Sequence, residues 1–311
     1  MLIYVYEHLT IQGIGQEEGT PEHSLYREGR AMWSALREDL QRVGGVEVTD
    51  DAAAAEAVVV IAPECGGLLA DLSAQWDQKG VWRIGPTLEA IRLTSDKWTL
   101  AQHWQSHGVP TPQVIRCGRP LPADDYPLVW KPRDGCGSQA TFLLEHAEQL
   151  PHPLSAIDDQ EMLVQRYVPG LAASVAFLCG PSGQTPLVPA QQCLSADGRF
   201  RYQGGTLPLP EPLARRALRL AQRAVACVPG LRGYVGVDLV LGPAPDGSQD
   251  YAIEINPRLT TSYIGLRALC YDNLAESLLT IASGGQIRPL RWRPEMIHFQ
   301  PDGTWQCLPL D

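Results

Sequence analysis

The chain has 311 residues, 44% of them hydrophobic, and a formal net charge of −10. That length predicts two or three packed units, and the acidity, with no Lys/Arg run, excludes a nucleic-acid surface. The longest apolar stretch, residues 52–62, contains Glu56 and is too short to span a bilayer, and Leu2-Ile3-Tyr4-Val5-Tyr6 is expected to be a strand and not part of a signal peptide.

In chain order, residues 1–93 read as an α/β, Rossmann-like unit. A strand at Leu2–Tyr6 is followed by a glycine-bearing loop and a helix from about Ser24 to Val43, with Leu25, Met32, Trp33, Leu36 and Leu40 at apolar positions. Val46–Val48 is a short strand. Ala57–Ala62 is a buried parallel strand ended by Pro63-Glu64-Cys65-Gly66-Gly67, and a helix over Leu68–Lys79 and a strand near Trp82–Ile84 complete the unit. Thr94-Ser95-Asp96-Lys97 is a helix N-cap. Leu128-Val129-Trp130-Lys131-Pro132 is a strand running into a loop with Gly135, Gly137 and Ser138. Met162–Gly170 is a strand entering a turn, Ala173–Leu178 and Gly233–Leu241 are strands, and Leu213–Val228 and Asn273–Ser283 are helices. The eight cysteines are scattered without a CxxC, as expected of reduced thiols in a cytoplasmic protein.

Chemistry concentrates at Tyr251-Ala252-Ile253-Glu254-Ile255-Asn256-Pro257-Arg258. At the two-residue strand period Glu254 and Asn256 leave one face, and Pro257 ends the ladder. Asp238 lies 16 residues before Glu254, and Gly242-Pro243-Ala244-Pro245-Asp246-Gly247 between them is a hairpin loop, so the two runs should pair antiparallel. Two carboxylates and an amide on one surface suit a magnesium ion. Only three lysines occur, Lys79, Lys97 and Lys131, and two of them stand at the mouths of these elements. The glycine loop after Lys131 allows backbone N–H groups to approach phosphate oxygens.

Taken in order, Ser95-Asp96-Lys97, Lys131-Pro132 with Gly135-Cys136-Gly137-Ser138, Val164-Gln165-Arg166-Tyr167-Val168-Pro169-Gly170, Gly236-Val237-Asp238 and Glu254-Ile255-Asn256-Pro257-Arg258 resemble the ATP-grasp superfamily over about residues 90–285. The resemblance implies an α/β and α+β protein with three units: a Rossmann-like substrate domain (1–93), a small ATP-grasp lobe (94–167) and a large lobe with the metal site (168–311). It implies that Lys97 and Lys131 contact the phosphates or the adenine side of ATP, with Gly135, Gly137 and Ser138 at its phosphates. Gln165, Arg166, Tyr167 and Val168 line the adenine at the hinge. Asp238, Glu254 and Asn256 carry Mg2+, with Mn2+ as an alternative, and Arg258 steadies the transferred phosphoryl group. Gln165 stands where many members carry glutamate, and Leu171, Ala172 and Ala173 offer no ribose-binding carboxylate. The implied reaction converts a carboxylate to an acyl phosphate that an amine attacks, giving an amide, ADP and phosphate.

A narrower resemblance, to the tyramine glutamate ligase branch of methanofuran and methylofuran biosynthesis, rests on Tyr6-Glu7-His8-Leu9-Thr10, Ser24 to Met32, and Asn256 to Arg267. It implies that Glu7, His8 and Glu28 recognise the amine. Thr260, Thr261, Ser262 and Tyr263 would face the acceptor, with Arg267 meeting a substrate carboxylate one helical turn beyond Tyr263. The expected partners are small-molecule carboxylates and amines, with no nucleic acid or membrane, and a homo-oligomer is open. Alternatives are an ATP-grasp ligase with another amine or a polyglutamate tail, and an ATP-binding regulatory protein without turnover. No GxGxxG follows the first strand, which argues against a dehydrogenase.

Overall fold

The computed structural model describes residues 1–115, 126–135, 140–149 and 161–308. Strand β1 (Leu2–Glu7) leads through a short helix α1 (His8–Gln12) to α2 (His23–Leu40). Then come β2 (Glu47–Thr49), β3 (Ala57–Ile61), α3 (Leu68–Gln78), β4 (Trp82–Arg83), α4 (Leu88–Ser95) and α5 (Lys97–Ser106). The four strands form a parallel sheet ordered β2-β1-β3-β4. All five residues of β3 are buried, as its unbroken Ala57-Val58-Val59-Val60-Ile61 run requires of a strand covered on both faces. Helix α2 buries Met32, Ala35, Leu36 and Leu40 at helical spacing, and Trp33 Nε1 donates to the Val5 carbonyl at 3.0 Å.

The second sheet is small and antiparallel, ordered β5-β8-β6-β7, from β5 (Val114–Ile115), β6 (Leu128–Pro132), β7 (Phe142–Leu144) and β8 (Met162–Arg166). Leu128, Leu144 and Val164 centre its core, and Ala101 of α5 packs with Val114 and Leu163 on it.

The third sheet comprises β9 (Leu171–Gly180), β10 (Gly183–Pro186), β11 (Ala190–Leu194), β12 (Tyr202–Leu207), β13 (Gly233–Leu241), β14 (Tyr251–Asn256), β15 (Met296–Phe299) and β16 (Trp305–Leu308). Its main path is β14-β13-β9-β11-β12-β15-β16. Helix α6 (Glu211–Ala226) covers one face with Ala217, Leu220, Ala221, Ala224 and Val225. Helices α7 (Ser262–Leu269) and α8 (Leu274–Ala282) pack on the other side, where Tyr263, Ile264 and Leu278 share a core with Ile3, Val5 and Leu36. The parallel sheet and the large sheet are therefore welded through one apolar core. Trp104 is fully buried and donates from Nε1 to the Ala224 carbonyl at 3.0 Å, tying α5 to α6.

Most elements expected from the sequence form within a residue or two of their expected limits. Helices α1 and α4 and the strands β5, β7, β10, β11, β12, β15 and β16 go beyond that reading. Helix α4 ends on Asp96, which itself caps α5 by accepting from Trp98 and Thr99 N–H, so one cap signal hid two consecutive helices. Among the described residues no helix is long and apolar enough to cross a membrane.

Candidate active site

A cavity of about 240 Å3 opens between the two antiparallel sheets and is closed at one end by α2. Its floor is the β13–β14 hairpin. Asp238 and Glu254 are direct cross-strand partners, and Asn256 lies two residues on, so all three reach one surface. Asn256 Nδ2 donates to Asp238 Oδ2 at 3.0 Å, and Gln192 Nε2 of β11 donates to Oδ1 at 2.9 Å. Burial, then the neighbouring Glu254, raise the Asp238 carboxyl well above its ordinary range. Burial also works to raise Glu254, but Lys97 and Lys131 outweigh it and hold that carboxyl below its usual value.

Lys97, the first residue of α5, donates from Nζ to the Gly135 carbonyl at 2.8 Å and lies 3.4 Å from Glu254 Oε2. Lys131, the penultimate residue of β6, is buried, and that burial lowers its ammonium to about 8 against the pull of Glu254. The loop after Lys131 is anchored twice: Arg133 pairs with Asp96, and Asp134 Oδ2 accepts from Gly66 N at 2.7 Å. Gly135 has φ 151, and Gly137 and Ser138 lie outside the described residues.

Gln165, Arg166, Tyr167 and Val168 line the hinge side, with Val129, Ala172, Leu239 and Ile253 making an apolar slot. The Tyr167 and Phe200 rings stand 6.3 Å apart at its edge. Arg166 and Tyr167 spend their backbone N–H groups on the Gln113 and Pro127 carbonyls, so neither is spare for a ligand. The slot therefore offers a flat, half-apolar seat beside the acidic floor and its two lysines, Lys97 and Lys131.

At the opposite end stand Arg258, Thr260, Thr261, Ser262 and Glu28. Arg258 Nε lies 2.9 Å from Glu64 Oε1 and its Nη2 donates to Glu64 Oε2 at 3.1 Å. Glu64, at the C-terminal end of β3, is buried and was not singled out by the sequence. A carboxylate in the loop after a buried parallel strand was the available signal. Thr260, Ser262 and Tyr234 form a hydroxyl cluster with contacts of 2.9–3.3 Å. Gly236 makes room for it, since a Cβ there would meet Thr260 Cγ2 at 2.7 Å. Thr261 Oγ1 donates to Glu28 Oε2 at 3.3 Å. Burial pushes the Glu28 carboxyl up to about 7, against the opposing pull of Thr261 and Arg258.

Four residues expected at the site are placed elsewhere. Glu7 is buried and caps α1, accepting from Leu9 and Thr10 N–H, and Gly29 is small enough to admit its carboxylate. His8 Nδ1 lies 3.3 Å from the Tyr6 hydroxyl and off the cavity wall. Tyr263 is fully buried and donates to Asp39 at 2.8 Å. Arg267 donates to both oxygens of Asp39, at 2.7 and 2.9 Å, and to Glu38 at 3.1 Å. The last two clamp α7 to α2, because α2 presents Asp39 to the same helical face that the i+4 spacing made available.

The donor set fits a magnesium ion. Its atoms are hard oxygens, and Asp238 and Glu254 are like charges brought together at low exposure, which a dication would relieve. Among the described residues no cluster of three or more His, Cys, Asp or Glu is placed to hold a metal ion.

Comparison with known proteins agrees with this architecture. Residues 94–262 match the model of an ATP-grasp domain, and residues 34–91 that of a pre-ATP-grasp domain. The chain is 28% identical over 229 residues to a tyramine–L-glutamate ligase of Methanocaldococcus fervens, covering 74% of this chain and 67% of that protein. It is 29% identical over 230 residues to the tyramine–L-glutamate ligase of Methanocaldococcus jannaschii, covering 74% and 64%. The chain thus spans about two thirds of the length of these relatives. A crystal structure from Archaeoglobus fulgidus, described as an ATP-grasp superfamily protein, superposes with a TM-score of 0.72 at 25% identity, over 100% of both chains. With an ATP-grasp domain matched over more than half of the chain, and with Lys97, Lys131, the acidic hairpin and Arg258 gathered on one cavity, the chain belongs to the ATP-grasp family of ATP-dependent ligases.

Proposed function

We propose that this ligase joins the carboxylate of glutamate to tyramine, in a small-molecule pathway of the methylofuran type. The two glutamate-ligating relatives support the donor and acceptor. The observation that carries the choice of tyramine over tyrosine is Arg267. It was the cation expected to meet a substrate carboxylate, and it is taken up by Asp39 and Glu38, so it is not at hand for an acid on the acceptor. An acceptor bearing an amine and no acid fits the remaining wall, where Glu28 stands with hydroxyl groups. We propose the units 1–93, 94–167 and 168–311 as substrate domain, small lobe and large lobe.

In this reading the adenine lies in the slot between Val129, Ala172, Leu239 and Tyr167, beside Gln165, Arg166 and Val168. Lys97 and Lys131 take the phosphates, with Gly135, Gly137 and Ser138 covering them. Asp238, Glu254 and Asn256 would hold Mg2+ or Mn2+, which when bound offsets the charge of the phosphates. Arg258 stands beyond the acidic hairpin, on the side of Thr260 to Ser262, where a phosphoryl group passing to the donor carboxylate gathers charge. Glu64 fixes the Arg258 guanidinium from behind. The hydroxyls of Thr260, Thr261 and Ser262 orient the donor, and Glu28 receives the acceptor ammonium. No protein nucleophile is required, since the chemistry rests on positioning and on neutralising charge.

The test is magnesium-dependent ADP release with ATP, glutamate and a panel of amines. Release that needs glutamate and tyramine together supports the reading. ATP binding without turnover on any pair would return the chain to a regulatory role, and turnover with another amine would keep the ligase and replace the acceptor.

A further inference from the structure

We propose that Glu28 is the general base that takes the proton from the acceptor ammonium, an inference that rests on the ligase reading above. Among the described residues Glu28 is the one residue of 1–93 on the cavity wall, delivered there by the N-terminal half of α2. Three carboxylates line the cavity, and two are occupied on the floor. Asp238 accepts from Asn256 and Gln192, and Glu254 lies against Lys97. Glu28 has a hydroxyl for a partner, Thr261, and no ion pair within 4.0 Å among the described residues. Its cationic neighbour Arg258 is bound to Glu64.

The position is right for the second half of the reaction. Thr261 follows Arg258 by three residues on the segment that leaves the acidic hairpin, so Glu28 borders the region where an activated donor would lie. The charged and titratable groups around it are Arg258 and, behind that, Glu64; Tyr202 of β12; and Asp238 beyond Tyr202. Burial leaves the carboxyl basic enough to accept a proton near neutral pH. A carboxylate of ordinary acidity would be a poorer base.

The step balances as follows. The ammonium gives one proton to Glu28, which frees the nitrogen lone pair. The N–C bond forms as the C–O bond to phosphate breaks, the phosphate leaving with that electron pair. The nitrogen's second proton goes to the departing phosphate, and protonated Glu28 returns its proton to water.

The experiment separates the two half-reactions. With ATP, Mg2+ and glutamate but no amine, hydroxylamine, which is unprotonated at neutral pH, traps the acyl phosphate as a hydroxamate without needing a base. Glu28→Gln should form hydroxamate within about 3-fold of wild type, while amide formation with tyramine falls by about 10²–10³-fold in kcat. The wild-type kcat/KM should carry an acid limb near pH 7, absent in Glu28→Gln, and Glu28→Asp should restore part of the rate. Equal losses of hydroxamate and amide, or an unchanged acid limb in Glu28→Gln, would overturn the assignment. Absence of hydroxamate with the wild-type protein would remove the ligase reading and this proposal with it.

Discussion

Arg258 and Glu64 meet at 2.9 Å across the boundary between the large sheet and the parallel sheet, with both side chains nearly buried. Arg258 follows the acidic hairpin and Glu64 the strand β3, so the guanidinium is aimed by a carboxylate 194 residues away. Glu64→Gln should therefore lower kcat by about 10–100-fold while the KM for ATP changes by less than about 3-fold, because the nucleotide slot is built from other strands. Steady-state kinetics with ATP varied at saturating donor and acceptor checks this, and a KM effect as large as the kcat effect would contradict it.

Glu254→Gln removes the carboxylate that faces Asp238 and steadies Lys97. Turnover should fall at least about 10²-fold, and the rise in melting temperature that magnesium and ATP together give the wild type should be lost. Thermal scans with and without the pair read the second effect independently of activity. A variant with an undiminished thermal shift would show that the ion is held elsewhere.

Arg267→Ala should act on stability and not on substrate. The guanidinium is shared by Asp39 and Glu38, and Asp39 also accepts from Tyr263, so its loss strands a buried carboxylate between α2 and α7. We expect a loss of about 2–3 kcal/mol in urea unfolding. The KM for glutamate and for the amine should stay within about 3-fold. A selective rise in either KM would restore Arg267 to the substrate site.

Glu28 gives a pH-dependent signature in stability. Its carboxyl rises from 4.5 to about 7 on folding, mainly through burial. A raised value means that the folded state binds the proton more tightly, so stability is full below about pH 4.5 and is lost as the pH climbs through 7. Glu28→Gln cannot titrate and should gain on the wild type by about 1–2 kcal/mol between pH 5 and 8, allowing for screening by cavity water. Urea midpoints at the two pH values measure the gain, and a constant difference would contradict it.

The acidic hairpin was legible because strand period and turn chemistry are local. Ile253 and Ile255 alternate with Glu254 and Asn256, and the two runs pair antiparallel as expected, with one register shift after Asp238. The same locality explains the buried run of β3 and the cap at Asp96. What escaped lies between distant segments. Glu64 gains its role from Arg258, which the chain order does not reveal. Arg267 has helical spacing suited to a substrate, and only the docking of α2 shows that Asp39 takes it first. The family resemblance made Glu7 a recognition candidate, but at the junction of β1 and α1 its carboxylate accepts from Leu9 and Thr10 N–H as a helix cap. Strands β15 and β16 follow a proline-rich stretch with little alternation, and pairing with β12 makes a strand of Met296–Phe299.

The central claim is the bond formed and the amine it is formed with. The most direct measurement is the mass of the product from ATP, magnesium, glutamate and an equimolar mixture of tyramine and tyrosine. The account predicts one new species, glutamate plus tyramine less one water, formed with stoichiometric ADP and phosphate. A product carrying tyrosine, or ADP released with no amide, would contradict it.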